Sequence, residues 1–99
     1  MTAQPATFVH FPTEVEACRW TGKNELVIQT WLAPIPFHEL DPDDAEEPGQ
    51  TAELWVHANH VWVPMVTGEW VLVDSIGAYP CAHDVFLASY RQKGPKAQW

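Results

Sequence analysis

Four side chains of this sequence are of the types that bind zinc, and they fall into two close pairs. His57 and His60 lie three positions apart, and Cys81 and His83 lie two apart. Imidazole nitrogen and thiolate sulfur are common zinc ligands, so a zinc site would require the two pairs to meet in the fold. Neither pair has the spacing of a zinc finger or a zinc ribbon. Structural histidines are therefore the preferred interpretation, and no cofactor is expected.

Cys81 and His83 are also the residue types of a thiol nucleophile and its base. Catalysis by such a pair requires the base within hydrogen-bond reach and donors for a developing oxyanion. A Cys-x-His triplet alone does not supply these groups, and the sequence has no glycine loop that could cradle a phosphate. We therefore expect a protein that is not an enzyme.

Aromatic and acidic side chains predict a surface that binds a partner. Trp62 lies between Val61 and Val63, which point to the opposite face of a strand, so its flat ring is expected at the surface. His60 lies beside it at a predicted hairpin turn. The remaining expected partner-binding residues are carboxylates crowded into one short segment: Glu39, Asp41, Asp43, Asp44, Glu46 and Glu47.

The charge of the chain limits which partners it can have. The formal net charge is −8, and this opposes nonspecific binding to nucleic acid or to an anionic membrane. The simplest explanation of this net negative charge is that it keeps the protein soluble. The more specific explanation is that an acidic face binds a basic partner. No apolar run approaches the roughly 20 residues of a membrane helix, and the first five residues lack a signal-peptide pattern. With two cysteines and no disulfide framework, a cytosolic protein is expected.

The elements that must position these residues predict an α+β domain. Apolar patterns predict strands at 14–20, 52–57, 61–65, 70–73 and 78–81, and helices at 25–33 and 84–89. We expect one domain, 1–99, with a mixed or antiparallel sheet of about five strands and both short helices on one face. The segment 70–73 is apolar on both faces and is expected at the centre of the sheet.

Local signals complete the predicted organisation. Segment 7–11 is expected to be an edge strand or an arm, and Asn24 is expected to cap the first helix. Cys18 and Trp20 fall out of phase with the alternation of their strand, which predicts a bulge or a twist. Segment 34–50 is expected to be an acidic, proline-containing loop, and 91–99 a flexible basic tail.

The C-terminal half contains Gly68-Glu69-Trp70-Val71-Leu72-Val73, Gly77, Tyr79-Pro80-Cys81, Asp84-Val85-Phe86 and Ser89-Tyr90. With these residues it resembles a family of small phage and prophage proteins. The opening Val15-Glu16-Ala17, Trp20-Thr21-Gly22 and Asn24 is also similar to the family, so the match covers roughly the whole chain outside the acidic segment. The chain departs from the pattern at Ala82-His83, where the family has Lys-Pro, and in its acidic insertion at 39–47. The resemblance implies a phage context but no mechanism.

Together these observations predict a non-enzymatic phage accessory protein of the host cytoplasm. It is expected to bind a host or phage protein, or a small ligand, and in that way to counteract host defence. The alternative is a minor structural component of the virion, and the third hypothesis is a small zinc-binding protein or hydrolase. No direct contact with nucleic acid or with a membrane is expected.

Overall fold

The computed structural model describes the backbone of residues 3–10 and 13–92 and the side chains of residues 3–7 and 15–90. The strands in this part of the chain are β1 (Ala6–His10), β2 (Thr13–Arg19), β3 (Phe37–Glu39), β4 (Gln50–Val56), β5 (Val61–Val66), β6 (Trp70–Val73), β7 (Ala78–Cys81) and β8 (Arg91–Gln92). The helices are α1 (Glu25–Leu32) and α2 (His83–Ser89), with short 3-10 turns at Pro42–Asp44 and His57–Asn59. The predicted α+β class is confirmed.

The strands form two antiparallel sheets rather than one. A five-stranded sheet has the order β7-β6-β2-β1-β8, and a three-stranded sheet has the order β3-β4-β5. The middle strand of the larger sheet is β2, so the prediction that the segment 70–73 forms the centre was wrong. Strand β1 lies between β2 and β8 and is therefore not the edge strand that the sequence suggested.

The five-stranded sheet has a hydrophobic core on each face. Helix α2 covers the smaller core, which contains Val15, Ala17, Trp70, Leu72 and Phe86. Helix α1 and the inner face of the three-stranded sheet cover the larger core, which contains Cys18, Trp20, Ile28, Leu32, Phe37, Ala52, Leu54, Val56, Met65, Val71 and Ala78. The two helices therefore lie on opposite faces, and the expectation that they share one face was wrong.

Strand β2 shows why its sequence pattern was misleading. Val15 and Ala17 face one core while Cys18 and Trp20 contribute to the other. The pairing of β2 with β1 and β6 is continuous, with no bulge. Apolar residues appear on both sides of this strand because both sides are covered, which is the behaviour of a central strand.

Trp20 links the two sheets. Its ring is fully buried and lies edge-on to Phe37 of β3, with 5.2 Å between the ring centroids. Its indole N–H donates a hydrogen bond to the Thr51 hydroxyl of β4 at 3.0 Å. A buried indole N–H requires such a partner, so this bond fixes where the three-stranded sheet packs.

Asn24 does not cap helix α1 through its side chain. Its amide is 2% exposed and instead holds the turn that precedes the helix. The side-chain oxygen Oδ1 of Asn24 accepts hydrogen bonds from the Thr21 N–H (2.9 Å) and hydroxyl (3.0 Å). Its side-chain nitrogen Nδ2 donates to the main-chain carbonyl of Arg19 (2.8 Å). A buried amide in this position satisfies the turn rather than the helix terminus.

The segments expected to be irregular are partly ordered as strands. Within 34–50, β3 pairs with β4, and within 91–99, β8 pairs with β1; residues 93–99 lie outside the described residues. At the hairpin turn His60, and not Asn59, adopts the left-handed conformation, with φ of 51°. Among the described residues, no helix has the length and apolar character needed to cross a bilayer.

Candidate functional site

The outer face of the three-stranded sheet carries a group of aromatic and charged side chains. Burial alternates along β4, so that Leu54 and its neighbours two positions away face the core while Glu53 and Trp55 face outward. Trp62 of β5 lies opposite Trp55, and His38 of β3 lies opposite Glu53. We name the set His38, Glu53, Trp55, His60 and Trp62 the outer-face cluster.

The main-chain hydrogen bonds of β4 explain why its two tryptophans meet. On the β3 side, the Trp55 N–H donates to the Pro36 carbonyl (3.0 Å), and the Thr51 carbonyl accepts from the Leu40 N–H (2.9 Å). Successive residues direct these groups to opposite sides, so the even-numbered residues of β4 bond to β5. Trp55 and Trp62 therefore form a pair without mutual hydrogen bonds, the kind in which opposed side chains are closest. Their rings lie edge to face, with centroids 5.6 Å apart.

His38 joins Trp62 to a carboxylate. Its imidazole Nε2 lies 2.7 Å from Glu53 Oε1, and its ring meets the Trp62 ring edge to face with 5.0 Å between centroids. The side chains of His38 and Glu53 are 41% and 24% exposed. Trp62 itself is 42% exposed, as its position between two valines predicted. Its ring is thus held from two sides and still accessible to a partner.

An acidic cleft of about 320 Å³ lies beside the cluster. It is lined by Glu25, His38, Glu39, Leu40, Asp41 and Asp44. Glu39, Asp41 and Asp44 were expected to bind a partner, and the structure brings them together with Glu25 of helix α1, which the sequence had not indicated. The other expected carboxylates, Asp43, Glu46 and Glu47, are exposed but do not line the cleft.

The outward edge of β3 is closed by helix α1. The Glu39 N–H donates to Glu25 Oε2 at 2.8 Å, and Gln29 Nε2 donates to the Phe37 carbonyl at 3.0 Å. Glu25 and Gln29 are four residues apart and project from the same side of the helix. Their side chains occupy the positions at which an added strand would bond.

The outward edge of β5 is also poorly suited to strand addition. Its Trp62 and Pro64 direct their main-chain groups away from β4, and proline has no N–H to offer. The Val66 N–H is occupied, because it donates to Glu69 Oε1 at 2.8 Å. A partner is therefore expected to use the side chains of the outer face rather than a ladder of main-chain bonds.

The four zinc candidates do not form one site. His57 and His60 lie together at the hairpin turn, with ring centroids 5.0 Å apart. His83 is engaged elsewhere, because its Nδ1 accepts a hydrogen bond from the Trp70 indole N–H at 2.9 Å. In the described part of the chain, no three His, Cys, Asp or Glu side chains are arranged to hold a metal ion. Instead, His60 extends the outer-face cluster, with its ring 6.2 Å from that of Trp55.

The environment of Cys81 opposes its use as a nucleophile. Burial raises the pKa of the Cys81 thiol, and the negative charges of Glu69 and Asp84 raise it further. A reactive thiol needs the opposite shift, which nearby positive charge supplies. Cys18 is fully buried, and burial raises its pKa to about 12. Both cysteines are free thiols.

Two members of the outer-face cluster are indicated by the alternation of apolar residues in the sequence. The alternation that placed Trp62 at the surface also places Glu53 and Trp55 outward, because Leu54 and Val56 point inward. His38 had no such signal, since its strand has only three residues and follows two prolines. Recognising His38 required the pairing of β3 with β4.

Comparisons with protein-family models, curated proteins and solved structures give no match to this chain. The side chains and their surroundings therefore carry the interpretation of the candidate site. They describe an exposed tryptophan held by aromatic neighbours, a carboxylate–imidazole pair beside it and an acidic cleft next to both. These features can bind a cation or a basic protein surface.

Proposed function

We propose that this chain is a non-enzymatic phage accessory protein that binds the basic surface of a host protein through its outer-face cluster. The observation that carries the proposal is the exposed Trp62 ring, fixed between Trp55 and His38. Tryptophan is among the residues most often responsible for binding energy at protein interfaces, and a ring already held in place loses little freedom on binding. The resemblance to small phage proteins supports the phage context.

Charge supports a basic partner. The net charge is −8, and four carboxylates line the cleft beside Trp62. Opposite charge on the partner would speed the encounter and fix the orientation of the complex. Basic surfaces are typical of proteins that bind nucleic acid, so this class of host protein is a natural target. Occupying such a surface would prevent it from acting and would counteract a host defence that depends on it.

The cleft supports a protein partner better than a small apolar ligand. Its lining contains one leucine and five titratable side chains. Sites for small molecules are predominantly apolar, with only a few polar groups. A protein segment that carries positive charge fits such a lining more closely.

Affinity capture from infected host cells tests the proposed function. The bait proteins are the wild type, Trp62→Ala and a control, Ile76→Ala, which removes an apolar side chain that is 73% exposed in the turn between β6 and β7. We expect a host protein to be recovered with the wild type and the control and lost with Trp62→Ala. The purified partner should bind Trp62→Ala at least about tenfold more weakly, which is typical of a central interface tryptophan.

Two results would contradict the proposal. One is equal recovery of the host protein by the wild type and Trp62→Ala. The other is a stoichiometric amount of this chain in purified phage particles, measured by mass spectrometry, because that would identify a virion component.

A further inference from the structure

Two histidines at the tip of the β4–β5 hairpin differ from the others that the structure describes. His38 and His83 each hydrogen-bond to another side chain. In the described part of the chain, the imidazoles of His57 and His60 have no hydrogen-bond partner, and both residues are exposed. The ring nitrogens of this pair are therefore accessible to a ligand from solution.

The backbone of the hairpin turn places the two imidazoles side by side. His57 opens the 3-10 turn and His60 follows it, and the His60 N–H donates to the His57 carbonyl at 3.2 Å. Residues three apart in such a turn project from the same side. The ring centroids lie 5.0 Å apart, and the ring planes are inclined by 50°.

This separation suits two imidazoles that ligate one metal ion. An ion about 2.1 Å from one nitrogen of each ring lies about 3.2 Å from each ring centre, and a tetrahedral angle at the ion then separates the two centres by roughly 5 Å. The observed distance of 5.0 Å matches this value. Rotation about χ2, a broad torsion in histidine, turns the ring nitrogens while leaving the ring centre almost in place. The pair therefore adjusts to an ion without breaking a hydrogen bond.

We propose that His57 and His60 together bind one divalent transition-metal ion at the tip of the β4–β5 hairpin. Each imidazole supplies one nitrogen, and water completes the coordination. Nitrogen ligands select zinc and its neighbours over magnesium and calcium, which prefer oxygen. The net charge of −8 favours a cation at the surface. This site differs from the four-ligand zinc site considered for the sequence, because Cys81 and His83 take no part in it.

The ion lies next to the outer-face cluster, since the His60 ring is 6.2 Å from the Trp55 ring. Its water-filled positions are exchangeable, so a side chain of a bound partner can take one of them. The inference does not depend on a host partner, however. If zinc does not bind, the proposed function is unaffected, and if no host protein is captured, the metal site still stands.

Isothermal titration calorimetry of zinc into the untagged full chain tests the inference. We expect one ion per chain. His57→Gln and His60→Gln should each weaken binding at least about tenfold, because an imidazole fixed beside the first ligand acts at a high effective concentration. The double variant should bind little more weakly than either single variant, since one substitution already removes the pair.

The matched controls replace the other two candidate zinc ligands. Cys81→Ser and His83→Gln should leave the zinc affinity within about twofold of the wild type, and excess magnesium should not displace the ion. NMR spectra should show zinc-dependent shifts of the His57 and His60 imidazole signals. Zinc affinity unchanged by His57→Gln or His60→Gln, binding lost in Cys81→Ser, displacement by magnesium, or no shift of either imidazole at millimolar zinc would each overturn the inference.

Discussion

The segment 69–90 and the outer face of the three-stranded sheet both carry tryptophan, histidine and carboxylate side chains. The two regions differ in how far these side chains are buried and in the contacts that they make. In 69–90, Trp70 is 3% exposed, stacks on Phe86 with centroids 3.9 Å apart, and donates its indole N–H to His83. On the outer face, Trp62 is 42% exposed and contacts the rings of His38 and Trp55 edge to face.

Ionisable groups differ in the same way. In 69–90, the Tyr79 hydroxyl donates to Asp74 Oδ2 at 3.1 Å, and burial together with this carboxylate raises the pKa of Tyr79 to about 12. In the acidic cleft beside the outer-face cluster, Glu39, Asp41 and Asp44 are exposed and Glu25 is half-buried. The residue types that suggest chemistry in 69–90 are therefore used for folding, and those available to a partner lie on the smaller sheet.

Of the substitutions considered, Phe86→Ala should lower the free energy of unfolding most. Its ring is fully buried between Trp70 and Tyr90, so Phe86→Ala leaves a cavity in the smaller core. We expect the free energy of unfolding to fall by about 3–5 kcal/mol. Urea denaturation measures this loss, and Val85→Ala, an exposed position on the same helix, should change it by less than about 0.5 kcal/mol. A similarly small loss for both variants would show that Phe86 is not a packed part of the smaller core.

Asp74 should make a smaller contribution that depends on pH. Burial opposes ionisation, but hydrogen bonds from the Ile76 and Gly77 N–H groups and from the Tyr79 hydroxyl outweigh it and lower the pKa of Asp74. A lowered folded-state pKa stabilises the fold above the unfolded pKa, roughly 3.9, and this stabilisation is lost as the pH falls through the folded-state value. Asp74→Ala should therefore cost about 1–2 kcal/mol at pH 7 and progressively less as the pH falls below the unfolded-state pKa of roughly 3.9.

Thermal or urea unfolding of the wild type and Asp74→Ala across this pH range measures the difference. Ser75→Ala, in the same turn, serves as the control for a general effect of the substitution. A difference between wild type and Asp74→Ala that is unchanged from pH 7 to pH 2 would contradict the role assigned to the carboxylate.

Substitutions of Glu25, which closes the outward edge of β3, should change the free energy of unfolding least. Glu25→Ala removes the acceptor of the Glu39 N–H and a negative charge from the first turn of α1, so it should cost about 0.5–1 kcal/mol. Glu25→Gln keeps an acceptor oxygen and should recover part of this loss. Urea denaturation at low ionic strength compares the two variants, and equal losses would show that the hydrogen bond contributes nothing.

Much of the larger sheet could be predicted from the sequence, because β6 is a continuous apolar run and the turn that ends in Gly77 returns the chain beside it as β7. The smaller sheet could not be separated from it, since β3 is short and lies in an acidic, proline-containing segment. The apolar pattern of a helix shows that one of its faces is buried, but not which face of the sheet it covers. Both helices were therefore predicted on the same face of the sheet. Asn24 was predicted as a helix cap because an asparagine that caps a helix and one whose side chain holds the preceding turn occupy the same position in the sequence.

The candidate site was predictable only in part. Trp62 was found because alternation fixes the direction of a strand side chain. His38 and Glu25 could not be found, since their contributions depend on how a helix and a three-residue strand pack against β4.

The most direct test of the account is an NMR titration of isotopically labelled protein with the unlabelled host partner recovered by capture. We predict that the largest chemical-shift changes occur at the Trp62 indole N–H and at the amides of His38, Glu53, Trp55 and His60. Amides of β7 and α2 should change little. Changes concentrated at Tyr79, Cys81 and His83, with the Trp62 indole unaffected, would contradict the assignment of binding to the smaller sheet and of folding to 69–90.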